Sequence, residues 1–406
     1  MVLDVKTEIG LADPVSSFRL GQLLVELCCL IPLHLAVARG GCFIPFNQGK
    51  DDIEWERKLV GADVESVASS ISLGWYEAIL GEYYRRKPLR VISSLGNQSV
   101  GKSYMLNHIA GSSFAGAAGR TTEGVWMAVA PTKDCIYVLL DFEGVNSPER
   151  VLQEDMFLVL FNAALSNMVL FRNHLNISRD LVKLFEAYRM SSTLFDPEAN
   201  PGLFNGKLVM IIKDVQSNDA KGATTECKEK FAEVVKADGN QNFLSRLHRS
   251  KMKIVPWPVI QDPKFYTHFK KHIVKDLQEI EPTWKTAGQF VDTLKLLEAK
   301  LKATDWTPLD SGLVSQRIKQ VTYLLPTAIS KGTRDEKREE PLIDISSGRQ
   351  INLEGEHPFD HTIFDLKSPS ATLTQMYDQY LRFHPRSTSN AEWRGHFLSE
   401  MSTAIE

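Results

Sequence analysis

Residues 95–107 read "LGNQSVGKSYMLN": two glycines bracket four residues, and Lys-Ser follows the second. Gly96 to Ser103 thus satisfy G-x-x-x-x-G-K-[ST] without exception. Each residue type in that pattern has a task. The glycines let successive backbone N–H groups turn toward a phosphate, the lysine reaches the β and γ oxygens, and the hydroxyl ligates Mg²⁺. The flanks agree with this. "VISSL" before the loop has the composition of a buried strand, and "SYMLNHIAG" after it reads as a helix whose positive N-terminal end adds to the cradle.

Outward from the loop the chain alternates. Strand-like runs are "LRVISSL", "GVWMAVA", "CIYVLLD", "NMVLFR", "KLVMIIKD" and "MKIVPW", with helical stretches over 103–110, 153–165, 178–192 and 225–236. Short, nearly continuous apolar strands separated by helices indicate an α/β fold, a P-loop nucleotidase domain with a mainly parallel sheet covered on both faces. "YVLLDFEG" ends its strand in Asp141-Phe142-Glu143-Gly144, a D-x-x-G. Asp141 there can hold the shell of a Mg²⁺ ion, and the Gly144 N–H can sense a γ-phosphate. Between the two motifs, the small-residue loop "AGSSFAGAAGRTT" offers Thr122, either a group that closes on Mg²⁺ and γ-phosphate or a solvent-facing hydroxyl. No N-K-x-D is present. Lys213-Asp214 ends the strand "KLVMII", so Asp214 is either an acceptor for guanine N1 and N2, with the Lys213 stem packed on the base, or a plain polar strand end.

The charge balance, 47 Lys+Arg against 50 Asp+Glu, gives no broad basic field of the kind nucleic acid requires. Five scattered cysteines make no disulfide framework and no zinc spacing, which suits reduced thiols in a cytoplasmic protein. "MVLDVKTEIG" lacks the basic region and apolar run of a secretory signal. The most apolar stretch, Leu23 to Ala38, is interrupted by Glu26, Pro32 and His34; it falls short of the ~20 residues that span a bilayer and reads as a buried helix. A peripheral membrane contact stays open. Three regions are expected: a helical N-terminal region over 1–86, the phosphate-loop domain over 87–304, and a partly helical region over 305–406 that starts a longer helical unit.

Together, "GNQSVGKSYMLNHIAG", "RTTEGVWM", "LLDFEGV" and "IIKD" resemble the guanylate-binding-protein and atlastin branch of the dynamin superfamily, over roughly residues 88–300, and the very large inducible GTPases share much of this. The resemblance implies a GTP hydrolase that uses Mg²⁺ and pairs with a second copy across its bound GTP or GDP. It assigns Gly96, Asn97, Gln98, Ser99, Val100, Gly101, Lys102, Ser103, Tyr104, Gly144, Lys213 and Asp214 to the nucleotide, and Ser103, Thr122 and Asp141 to the metal. Lys102, Ser99, Thr122, Glu143 and Arg120 are the candidates for catalysis, and "IVPWPVIQDP" falls where the family caps the guanine. The family's loop arginine is replaced here by Ser99. The charge it would neutralise falls either to a monovalent cation, K⁺ or Na⁺, held by Ser99 as Gln98-Ser99 resembles dynamin, or to Arg120. A GTP-binding switch that barely hydrolyses is the alternative.

Other features are weaker. "HPFDH" at His357–His361, with Glu354 and Glu356, looks metal-like, but Pro358 disfavours the helix that would align its histidines. Cys28, Cys29, Trp257, Trp284 and Trp306 are expected to pack in the interior. "STAIE" at the end of the sequence carries no lipidation box, which disfavours an atlastin-like membrane anchor.

Overall fold

The computed structural model describes residues 20–309, apart from 98–99, 113, 115–121, 146–149, 175–186, 188–189, 192–195, 201 and 238–241. The chain divides into two units after Pro308, and the fold below is that of the first. The expected boundary at residue 86 does not appear as a division.

The expectation of a helical N-terminal region needs correction. Helix α1 (Leu20–Cys29) stops, and the rest of the apolar stretch becomes strand β1 (Leu33–Arg39), hairpinned to β2 (Cys42–Pro45). Pro32 explains the break, since it lacks the N–H a helix would need and pushes Ile31 out of helical geometry. The turn is set by Gly40 and Gly41, with φ of 61° and 71°, between the paired residues Arg39 and Cys42. Two successive left-handed residues are what a two-residue hairpin loop demands. Helices α2 (Ile53–Lys58), α3 (Val64–Ser70) and α4 (Trp75–Ala78) follow, the first two capped by the Asp52 and Asp63 side chains.

The remaining strands are β3 (Leu89–Gly96), β4 (Val125–Pro131), β5 (Ile136–Phe142), β6 (Met168–Asn173), β7 (Lys207–Ile212) and β8 (Met252–Pro256). They form one eight-stranded sheet in the order β2-β1-β4-β5-β3-β6-β7-β8. Strands β5, β3, β6, β7 and β8 run parallel, as the alternating pattern predicts. Strand β4 is antiparallel to β5, because the tight connection closed by the Thr132 N–H to Cys135 carbonyl bond (2.9 Å) can only return the chain beside itself. The hairpin then extends that antiparallel edge.

Helix α5 (Lys102–Ala110) and the helical run from Lys264 to Glu279 cover one core, where Met105 and Leu106 meet Leu139, Leu170, Ile211, Trp257, Phe265 and Phe269. On another, Phe43 of β2 meets Phe157 and Phe161 of helix α6 (Leu152–Leu165). Trp257 and Trp284 are buried as expected, the latter donating from Nε1 to the Leu165 carbonyl at 3.1 Å; Cys29 is buried, Cys28 half-buried, and half-buried Trp306 stacks near Phe157.

Strand β3 has β5 on one side and β6 on the other, so its C-terminal end opens at a switch point of the topology. Ligands of open α/β sheets gather in that crevice. The phosphate loop, Asp141, Arg172 and Lys213-Asp214 all emerge along the same C-terminal edge.

Replacing Gly40 or Gly41 by alanine is expected to cost about 1–2 kcal/mol each, the penalty of a left-handed Cβ. A urea titration followed by far-UV circular dichroism measures it, and an unchanged midpoint for both variants contradicts the turn assignment.

Candidate functional site

The loop is built on a close approach. Gly96 has a φ of 141°, and a Cβ there would lie 2.2 Å from the carbonyl oxygen of Arg172 on the neighbouring strand. Only glycine fits. Gly101 then turns left-handed (φ 81°) to start α5, with Lys102 as its first residue.

Lys102 folds back over its own loop. Its Nζ donates to the carbonyls of Gly96 (3.2 Å) and Asn97 (2.8 Å), and the residue is 6% exposed. Burial pulls its pKa down to about 8, opposed by Asp141 and Glu143 and reinforced by Arg150 and Arg172. Two carbonyls neutralise an ammonium poorly. A polyphosphate in the loop would supply the missing negative charge.

Three oxygen-bearing side chains meet beside it. Ser103 Oγ donates to Asp141 Oδ2 at 2.5 Å, Thr122 Oγ1 donates to the same oxygen at 3.3 Å, and the two hydroxyls are 3.2 Å apart. Asp141 is fully buried, which raises its pKa to about 6 against the pull of those hydroxyls and Lys102. Its Oδ1 has no hydrogen-bond partner. An orphaned carboxylate oxygen in an all-oxygen cluster suits a hard cation such as Mg²⁺, which takes oxygen ligands and keeps several waters.

Glu143 lies on the other side of Asp141. Its carboxylate accepts the Gly124 N–H at 2.7 Å and pairs with Arg150, which also reaches Asp155 at 3.3 Å. Burial raises the Glu143 pKa in spite of Arg150. The Glu143 N–H in turn donates to the Gly124 carbonyl (2.8 Å), and the Val145 N–H, one residue past Gly144, donates to the Gly96 carbonyl (3.2 Å). These bonds tie the D-x-x-G segment to both the loop and the threonine segment.

Lys213 and Asp214 stand at the end of β7, 3.1 Å apart between Nζ and Oδ2. Asp214 is left-handed (φ 60°), unusual for a residue with a side chain, and is held there by flanking bonds: the Val215 N–H to the Trp257 carbonyl and the Trp257 N–H to that of Ile212. Trp257 opens the "WPVIQDP" segment, so Asp214 and this segment adjoin. Tyr104, next in α5, donates to or accepts from Tyr266 at 2.9 Å. Gln98, Ser99 and Arg120 lie outside the described residues, as do His357 and His361.

Two charged residues at the site were not anticipated. Arg150 has no motif of its own. Arg172 leaves one trace in the sequence, a single cation in the otherwise apolar strand "MVLFRN".

Residues 76–188 match the family model "Guanylate-binding protein, N-terminal domain". That match covers the phosphate loop, the threonine segment and the D-x-x-G segment. Over part of its length the chain is also similar to several larger proteins. Identity is 43% over 91 residues to the "Protein SEY1 homolog" of Dictyostelium discoideum, covering 20% of this chain and 10% of that one. It is 28% over 193 residues to "Protein ROOT HAIR DEFECTIVE 3 homolog 2" of Oryza sativa subsp. japonica, covering 44% and 22%. Against "Interferon-induced very large GTPase 1" of Mus musculus it is 38% over 105 residues, covering 22% and 4%. The chain thus spans less than a quarter of the length of these relatives. Among the described residues no helix of the G domain or its flanks is long and apolar enough to cross a membrane.

Gly96→Ala is expected to abolish nucleotide binding, because the carbonyl it would strike is backbone and cannot swing aside. Fluorescence titration with a labelled guanine nucleotide checks this. Wild-type affinity in a folded Gly96→Ala protein contradicts the geometry above.

Proposed function

We propose that this chain binds GTP with Mg²⁺ and hydrolyses it, as a large GTPase of the dynamin superfamily. The observation that carries the reading is the cluster of Ser103, Thr122 and Asp141 oxygens next to an under-neutralised Lys102 at a glycine-built loop. The amides of the loop receive the phosphates, and Lys102 exchanges its two carbonyls for β and γ oxygens. Ser103 and Thr122, with Asp141 behind them, would hold Mg²⁺, which would supply neutralisation of the phosphate charge. The Gly144 N–H meets the γ-phosphate. Glu143, fixed through Gly124 and Arg150, orders the segments around the attacking water. Asp214 accepts the guanine N1 and N2 hydrogens, with the Lys213 stem against the base. Catalysis of this kind is positioning and electrostatic stabilisation, with little covalent work for the protein.

The group that meets transition-state charge in place of a loop arginine is a monovalent cation at Ser99, with Arg120 as the competitor. Hydrolysis measured in K⁺, Na⁺ and a bulky organic cation, with wild type and Arg120→Ala side by side, separates them. The replacement of the loop arginine by Ser99 also favours a second reading, a switch that binds GTP and turns it over very slowly. We place the protein in the cytoplasm, a reading supported by the free thiols of Cys28, Cys29, Cys42, Cys135 and Cys227.

Lys102→Ala should eliminate single-turnover GTP hydrolysis in a folded protein. Asp214→Asn should weaken GTP by about 10-fold or more, the scale of a lost charged hydrogen bond, and leave ATP unchanged. Undiminished turnover in the first variant refutes the loop assignment, and equal competition by ATP in wild type refutes guanine selection.

The G domains are further expected to pair face to face when loaded. Sedimentation velocity should give a dimer with GDP and aluminium fluoride and a monomer without nucleotide; monomers in both conditions at high concentration count against pairing.

A further inference from the structure

Arg172 is buried at the penultimate position of β6, 4% exposed. Its Nη1 donates to the Gly101 carbonyl at 3.1 Å, and its Nε has no partner. Among the described residues no carboxylate lies within ion-pair distance of it, whereas the less buried Arg150 has two, Glu143 and Asp155. A guanidinium carries five donors and never gives up its charge in ordinary conditions, so burying it with a single carbonyl is costly. Such a residue is a site prepared for an acceptor that arrives later.

The surroundings say which acceptor. Burial pulls the Arg172 pKa down to about 10, and the groups that oppose this are Asp214 and Tyr104. Asp214 follows the end of the neighbouring strand β7, and the Tyr104 hydroxyl meets that of Tyr266, just past the "WPVIQDP" segment. The acids on the γ-phosphate side, Asp141 and Glu143, act on Lys102 instead. Strand register agrees: Arg172 pairs with Ile211 and Asn173 with Ile212, and the Lys213 N–H donates to the Asn173 carbonyl at 2.9 Å, which brings the ends of β6 and β7 side by side just before Asp214. On the reading above, the phosphates fall to the loop's amides and to Lys102, which leaves Arg172 free for another acceptor.

We propose that Arg172 reads the O6/N7 edge of guanine while Asp214 reads the N1/N2 edge. This rests on the GTP reading above. Guanine offers two acceptors on that edge, the pair that a guanidinium fork matches, whereas adenine offers an amine donor at position 6. Against adenine, donors would face donors in a buried pocket. Arg172 would thereby supply selection for guanine that the Lys213-Asp214 strand end, lacking the N-K-x-D pattern, does not supply alone.

The test is competition against a fluorescent GDP by GDP, 7-deaza-GDP (no N7 acceptor), 6-thio-GDP (a weakly accepting sulfur in place of O6, with N1–H kept) and ADP. It uses wild type, Arg172→Met and Arg172→Lys. Wild type should prefer GDP over at least one edge-altered analogue by about 10-fold or more. Arg172→Met should lose affinity for GDP, bind the analogue as wild type does, and so bring the ratio to near one. Arg172→Lys should retain part of the preference. If Arg172→Met weakens GDP and both analogues alike, Arg172 serves the loop or a phosphate, and the proposal is overturned. If Arg172→Met does not fold, the wild-type series decides: equal affinity for GDP and both analogues overturns the proposal. A wild type that binds neither GDP nor ADP refutes the nucleotide site itself, an outcome distinct from binding GDP without sensing the edge.

Discussion

The contact between Gly96 and the carbonyl of Arg172 is where the rest of the site begins. Parallel pairing of β3 with β6 continues to the last residue of β3, so the chain must leave the sheet directly against its neighbour's backbone. A residue without a side chain is the condition for that departure. Because the loop starts there, Lys102 returns over Gly96 and Asn97, Ser103 faces Asp141 across β5, and Arg172 ends beneath Gly101. Moving this contact by even a side-chain width would separate all of these groups.

The N-terminal hairpin extends this arrangement to the threonine segment and the helix after the D-x-x-G segment. His34 of β1 stacks on Trp126 of β4, 4.2 Å between ring centroids, just beyond Thr122 and Gly124. At the turn, the Gly41 N–H donates to Glu154 at 2.9 Å, in the first turn of α6 that follows the D-x-x-G segment. The Gly124 N–H to Glu143 bond closes the circuit between the two segments. The hairpin thus links the segment that holds Thr122 and Gly124 to helix α6, which follows the D-x-x-G segment.

Much of this could be read from residue order alone, and the parts that could not have definable causes. The strand ending in Asp141 and the loop ending in Ser103 are local patterns, and their meeting follows from the parallel α/β alternation. Thr122 lies beside them because "RTT" leads straight into β4, whose pairing with β5 runs alongside Asp141. The hairpin was misread as helix since an apolar run carries no period, and the deciding Gly40-Gly41 pair lies at its far end. Arg172 and Arg150 were invisible for a different reason. Their roles come from what they lack or find in space, an absent carboxylate for one and Glu143 with Asp155 for the other, and no spacing rule encodes either.

Under the proposed function, the under-neutralised Lys102 and the Asp141 oxygen without a partner among the described residues take one ligand, a guanine nucleotide with its Mg²⁺. Isothermal titration of the wild-type chain with GTP, with and without Mg²⁺ and with ATP as comparison, addresses it most directly. The account predicts saturable binding of GTP at one site, tightened by Mg²⁺, with ATP far weaker. Absence of binding, or binding indifferent to both Mg²⁺ and the base, would contradict it.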